Sequence, residues 1–167
     1  MTQATVHASA VLLGRRAVLI RGPSGAGKSR LALELIEAER GGARRFARLV
    51  GDDRVYLESA GGRLLVRPAE SLAGLIELRG VGILQRDYEP CAVVGLVVDL
   101  AAPDAERLPE TGEASIHGVS LPRLAVAAGL AALPAVMAVV TSRGVINVAK
   151  ATLGGSETGT EQGLAID

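Results

Sequence analysis

The chain has 167 residues, 49% of them hydrophobic, with 18 basic and 18 acidic side chains and a formal net charge of +0. That length suits one domain with a real core, and a balanced charge with no Lys/Arg-rich run argues against a surface that coats nucleic acid. Aromatics make up 2% and Trp is absent, so the core is to be built from Val, Leu, Ile and Ala, and platforms for stacking bases are scarce.

Thr5 to Leu13 reads as a strand, Gly14-Arg15-Arg16 as a hairpin turn, and Ala17 to Arg21 as the partner strand. Arg15-Arg16 also splits the apolar residues of the first twenty positions, which lack a signal-peptide pattern, and a cytoplasmic protein is expected. The run Gly22-Pro23-Ser24-Gly25-Ala26-Gly27-Lys28-Ser29 then fits G-x-x-x-x-G-K-[ST], the phosphate-binding loop, with a strand before it and a helix-like segment after it. Small residues let successive N–H groups turn inward around phosphate oxygens, and the helix starting near Lys28 adds the positive end of its dipole. Lys28, expected to face solvent, would reach the β and γ phosphates of ATP as a point charge, and Ser29 would ligate the Mg2+ that bridges them. A glycine-rich turn that binds nothing has no need of the Lys-Ser pair.

The helix runs to about Arg40 and is ended by Gly41-Gly42, after which Phe46 to Val50 forms a strand that delivers Gly51-Asp52-Asp53 at its carboxyl end. Asp52 and Asp53 there can hold Mg2+ or take a proton from an attacking hydroxyl; the plainer alternative is an Asx turn before Arg54. Arg54 to Glu58 and Arg63 to Arg67 read as a hairpin around Ala60-Gly61-Gly62. Ile76-Glu77-Leu78-Arg79-Gly80-Val81-Gly82-Ile83 places an acid and a base around an apolar core strand that ends in two spaced glycines. The lone Cys91 has no metal-ligand neighbours and reads as an inert small hydrophobe. Gly95 to Leu100 makes a further strand.

Many connections are too short for crossover helices, so the fold class is α/β with a mixed sheet, many antiparallel neighbours and flanking helices. Leu124 to Val140 carries no charge but contains Gly129 and Pro134 and falls short of the ~20 residues of a spanning helix. Burial in the domain or at a subunit interface is expected instead. The composition divides the chain into one domain over residues 1–145 and an expected flexible tail over 146–167, whose part from Leu153 to Asp167 is rich in Gly, Ser, Thr and Glu.

Five blocks occur in the order seen in the catalytic domain of bacterial HPr kinase/phosphorylase: His7-Ala8, Gly22 to Ser29, Gly51-Asp52-Asp53-Arg54-Val55, Ile76 to Gly82, and Gly118-Val119-Ser120-Leu121-Pro122. The chain resembles that family over Val6 to Leu124, most specifically in the double Asp and the Ile-Glu-Leu-Arg-Gly-Val-Gly segment, and is similar to a short form without the usual amino-terminal domain. The resemblance implies a P-loop fold like the nucleotide domain of phosphoenolpyruvate carboxykinase, commonly hexameric. It also implies an ATP-dependent kinase acting on a serine of HPr, the phosphocarrier of the sugar phosphotransferase system, with phosphorolysis as the reverse reaction. By motif, Lys28 stabilises the transferred phosphoryl, Ser29 with Glu77 binds Mg2+, and one of Asp52 and Asp53 is the base, with Asp53 preferred. His7, which alone would read as a structural strand residue, matches a family histidine near the phosphates. The sequence departs from the family where a basic Pro-Gly-Arg-Asn type loop is replaced by Ala127-Ala128-Gly129-Leu130-Ala131, which brings phosphorolysis into question.

Overall fold

The computed structural model describes residues 3–40, 46–105 and 112–142. Its elements run β1 (Ser9–Leu13), β2 (Arg16–Arg21), α1 (Lys28–Arg40), β3 (Ala47–Gly51), β4 (Val55–Ala60), β5 (Arg63–Pro68), β6 (Leu75–Leu78), β7 (Gly82–Gln85), β8 (Ala92–Leu100), β9 (Glu113–Ile116), β10 (Val119–Val126) and α2 (Ala132–Thr141). The main sheet has the order β3-β1-β2-β8-β10-β9, with β5 joining β8 at its amino-terminal end and β4 completing a hairpin on β5. The β2–β8 and β8–β10 pairs are parallel and the rest antiparallel, which is the mixed sheet that the short connections predict.

Side-chain alternation along the strands sorts the core into two layers. Val18 and Ile20 of β2 point with Val11 and Leu13 of β1 toward α1, whose Leu31, Ala32, Leu35 and Ile36 meet them beside Val136 and Val140 of α2. Ala17 and Leu19 point the other way, with Ala8 and Ala10, onto Val55 and Leu57 of β4 and Leu64 and Val66 of β5. Both helices therefore cover one face of the sheet and the β4–β5 hairpin covers the other. Aliphatic packing suffices, as the composition requires: burying each Val, Leu or Ile contributes about 1.5–3 kcal/mol.

The differences from the sequence reading have local causes. The first strand begins at Ser9 rather than Thr5, because the chain bends at His7 and changes partners: Val6 exchanges two backbone hydrogen bonds with Val55 instead of extending β1. Ile76 to Ile83 is not one core strand but the turn of a hairpin. Gly80 and Gly82 take left-handed φ values of 82° and 111°, closed by Val81 N–H donating to the Leu78 carbonyl, and β6 and β7 pair on either side. Leu124 to Val140 likewise splits into the end of β10, a turn at Ala127–Leu130, and α2. Among the described residues no helix is long and apolar enough to cross a membrane. Cys91 lies exposed ahead of β8 and adds nothing to the core. Gly41-Gly42 and the expected tail over 146–167 lie outside the described residues.

Candidate active site

Strand β2 ends at Arg21 and the backbone turns through Gly22 (φ 152°), Gly25 (φ 81°) and Gly27 (φ 96°) before α1 begins at Lys28. At Gly22 a Cβ would come within 3.0 Å of the Leu100 carbonyl oxygen, so the loop is seated on the end of β8 only because this position has no side chain. Ala26 N–H donates to the Pro23 carbonyl and Leu31 N–H to that of Gly27, which leaves the amides between them for an anion at the helix amino terminus.

Lys28 does not face solvent as the sequence reading expects. It is 7% exposed, and its Nζ donates to the carbonyls of Gly22 (2.8 Å) and Pro23 (3.1 Å). Its place on the first turn of a helix whose buried face includes Leu31 and Ala32 draws it inward. Burial lowers the ammonium pKa from its ordinary value, and the nearby negative charges of Asp52 and Asp53 oppose that fall.

Strand β3 carries Gly51 into Asp52, which is 2% exposed and accepts hydrogen bonds from three directions. Ser9 Oγ donates at 2.6 Å, Ser29 Oγ lies 2.8 and 2.9 Å from its two oxygens, and the Glu77 N–H donates at 3.1 Å. These partners replace the Asx turn: the Asp52 carboxylate is spent on the loop, the first strand and the β6–β7 hairpin, and only its carbonyl closes the local turn to Arg54 N–H. Asp53 takes a left-handed φ of 66°, uncommon for a residue with a side chain, and its carboxylate pairs with His7 rather than with the partners of Asp52. Its side chain is 57% exposed and lies 3.1 Å from His7 Nε2.

The cleft holding these groups has a volume of about 1010 Å3. It is lined by His7, Ser9, most of the phosphate loop, Asp52 and Asp53, by Glu77 and Arg79 of the β6–β7 hairpin, and by the Val126–Ala132 segment. Every residue given a catalytic, phosphate-binding or metal role from the sequence thus lines this one cleft, apart from Gly22 and Pro23 at the end of β2. Ser9 and Arg79 were not singled out as site residues. A serine in an apolar strand has no signal of its own, and Arg79 was visible only as part of its segment; the fold sets Ser9 on Asp52 and brings Arg79 near Gly25 of the phosphate loop.

Behind the loop lies a second polar cluster that the sequence did not disclose. Asp99 of β8 accepts from Arg21 Nε (2.7 Å) and Nη2 (2.8 Å) and from Arg123 Nε of β10, and Arg123 also pairs with Asp104. Burial pushes the Asp99 carboxyl up, but the hydrogen bonds and charges of the two guanidinium groups more than offset it and leave it below the ordinary carboxylate range.

Residues 1–89 match the family described as HPr Serine kinase C-terminal domain. The chain belongs to this family. It is 46% identical over 81 residues to an HPr kinase/phosphorylase of Streptococcus thermophilus, covering 48% of this chain and 24% of that protein. It is 35% identical over 135 residues to an HPr kinase/phosphorylase of Limosilactobacillus reuteri, covering 73% of this chain and 40% of the relative. The chain therefore spans less than half the length of these curated relatives. The solved structure of the Hpr(Ser) kinase/phosphatase from Coxiella burnetii superposes with a TM-score of 0.65 at 26% identity, over 81% of this chain and 91% of that one. The mixed sheet with helices on one face is thus the fold of a family structure, and the phosphate loop sits in its expected strand-to-helix place.

Proposed function

We propose that this chain is the catalytic domain of an ATP-dependent kinase that transfers the γ-phosphoryl group to a serine of HPr. The observation that carries the reading is the contact of Ser29 with Asp52 directly beside the His7–Asp53 pair, so that a phosphate cradle, hard oxygen donors and a solvent-facing carboxylate share one cleft. The Ser29 hydroxyl and Asp52 carboxylate, with Glu77 in the same cleft, have the donor chemistry that suits Mg2+, a hard cation that takes few protein ligands and keeps phosphate oxygens for the rest. Bound there, Mg2+ would neutralise charge on the β and γ phosphates.

The chain's own residues then divide the work. The loop amides hold the phosphate oxygens, and Lys28 exchanges the carbonyls of Gly22 and Pro23 for the phosphates. Asp53 accepts the proton of the entering serine hydroxyl as its oxygen bonds to the γ-phosphorus and the bond to the ADP oxygen breaks. His7 Nε2 holds that carboxylate in place. The wall from Ala127 to Ala131 offers no cation to an incoming inorganic phosphate, so forward transfer is the activity proposed and phosphorolysis is expected to be weak.

The names of the relatives support HPr as the substrate; a cytoplasmic location, a homo-oligomer that is a hexamer by resemblance, and residues 1–145 as the catalytic unit belong to the same proposal. Incubation with γ-labelled ATP, Mg2+ and HPr tests the reading. Label on HPr supports it. Loss of ATP without transfer would indicate an NTPase, and saturable binding without turnover a nucleotide sensor; either result defeats the proposal.

A further inference from the structure

We propose that Ser9 is a positioning residue for the Mg2+ site: its hydroxyl holds the Asp52 carboxylate in the orientation that takes the proton of Ser29 and leaves the Ser29 oxygen free for the metal. The inference rests on the kinase reading and adds to it a residue that acts through Asp52. Ser9 opens β1 and is the one polar side chain of that strand. Alternation turns it to the same face as Val11 and Leu13, the face that α1 covers, and it is fully buried there. Ser29 is the second residue of α1. A hydroxyl buried beside aliphatic side chains must find an acceptor, and this one donates to Asp52 Oδ1 at 2.6 Å.

The same carboxylate receives Ser29. Its Oγ lies 2.8 Å from Oδ1 and 2.9 Å from Oδ2, so a single proton is shared between the two oxygens. A serine hydroxyl has that one proton and two lone pairs. With the proton drawn into the fork of Asp52, the lone pairs of Ser29, which lines the cleft, face away from the carboxylate, as binding to a hard cation requires. If the carboxylate rotated, Ser29 could turn its proton toward the metal instead. Among the described residues two donors besides Ser29 oppose that rotation: the backbone N–H of Glu77, 3.1 Å from Oδ2, and Ser9, whose bond is shorter and comes from a side chain. Outer contacts of this kind orient metal ligands, and their loss weakens metal binding by about 10–100-fold.

The test compares wild type with Ser9→Ala, with Ser9→Thr, which keeps the hydroxyl, and with Ser9→Cys, which fills the site with a weaker donor and replaces Ser9→Ala if that variant does not fold. Calorimetry measures binding of the non-hydrolysable ATP analogue AMP-PNP in EDTA and across a Mg2+ titration, and the thermal midpoint of the metal-free protein reports on folding. We expect Ser9→Ala to raise the Mg2+ concentration for half-saturation about 10-fold and to leave metal-free AMP-PNP affinity within about 3-fold, with Ser9→Cys changed in the same direction and Ser9→Thr close to wild type. On an Asp52→Ala background Ser9→Ala should add nothing, since no carboxylate is left to hold. Wild-type Mg2+ dependence in folded Ser9→Ala, or in Ser9→Cys where it stands in, overturns the inference and leaves the kinase reading standing. So does an equal loss of metal-free and Mg2+-dependent binding, or a rise that persists on the Asp52→Ala background, because either marks a structural role. A Mg2+ requirement that depends on Ser9 in a protein that transfers nothing to HPr supports the inference and defeats the choice of substrate. Wild-type protein that binds no nucleotide overturns both.

Discussion

Asp52 and Asp53 are adjacent in sequence yet meet different partners, and Asp53 takes a left-handed φ of 66°. Asp52 is buried against two serine hydroxyls and an amide, and Asp53 is exposed beside His7. Asp53→Asn should therefore abolish the chemical step in single-turnover measurements while leaving ATP binding within about 3-fold, because an amide takes up no proton. Asp52→Asn should weaken nucleotide binding and be partly rescued by raised Mg2+; because it also disturbs the bonds from Ser9, Ser29 and Glu77, its thermal midpoint should fall, which Asp53→Asn should not show. Single-turnover rates at the wild-type level in both variants would remove the base from this pair. Lys28→Met should lower transfer by about 100-fold or more with the fold retained, since an apolar chain of similar length fits the buried site. The lowered pKa of Lys28 has a sign of its own: the cation is lost as pH rises, so the alkaline limb of the transfer rate of the free enzyme should fall earlier than an ordinary lysine would allow. A pH profile of kcat/KM for ATP checks it.

Two elements place these residues, and each has a weak point that can be tested. The turn from β3 into Asp52 passes so close to the start of β4 and the end of β5 that a Cβ on Gly51 would lie 2.7 Å from Val55 Cγ1 and 3.2 Å from Pro68 Cα. Gly51→Ala should cost about 1–3 kcal/mol in urea unfolding and reduce transfer as well, because the backbone shift is passed on directly to Asp52. The loop strand β2 is fastened to β8 and β10 through Asp99, held by Arg21 and Arg123. Its carboxyl is below the ordinary range in the folded protein, so the stabilisation is present above its unfolded pKa of about 3.9 and is lost as pH falls through the folded value. Asp99→Asn should thus cost about 2 kcal/mol at pH 7. The gap between the variant and wild type in urea midpoints should narrow steadily below about pH 4; a gap that is constant with pH would show that packing, not charge, is what Asp99 contributes.

At the scale of the whole molecule, the cleft proposed to bind nucleotide joins parts of the chain that are far apart in sequence: the bend at His7, the loop, the β3 turn, the β6–β7 hairpin and the segment after β10. A ligand that contacts all of them only in the folded state must stabilise the fold. ATP with Mg2+ at 100 times its dissociation constant should add about 2.7 kcal/mol, visible as a rise in thermal midpoint that Lys28→Met largely loses. The rise should be the same for Asp53→Asn, whose defect lies in the chemical step.

What the sequence determined by itself was whatever is encoded locally. The loop motif states its own backbone conformation, because glycines at Gly22, Gly25 and Gly27 permit the φ values that the turn needs. The positions of β2, α1, β3, the β4–β5 hairpin and β8 followed from local apolar patterning, and the mixed character of the sheet from connections too short to cross it. Order along the chain likewise carried the family resemblance. Only the tertiary structure decided how those pieces meet. Lys28 is buried because of the helix face it shares, a fact no loop motif contains. The apolar run at Ile76 is folded into a hairpin because the glycines that looked like its end are its turn, and pairing across that turn then aims Arg79 at a loop some fifty residues earlier in the chain. Ser9 meets Asp52, and Arg123 meets Asp99, through strand neighbours whose order the sequence does not state. Polar contacts of this kind depend on long-range register, and register is a property of the assembled sheet.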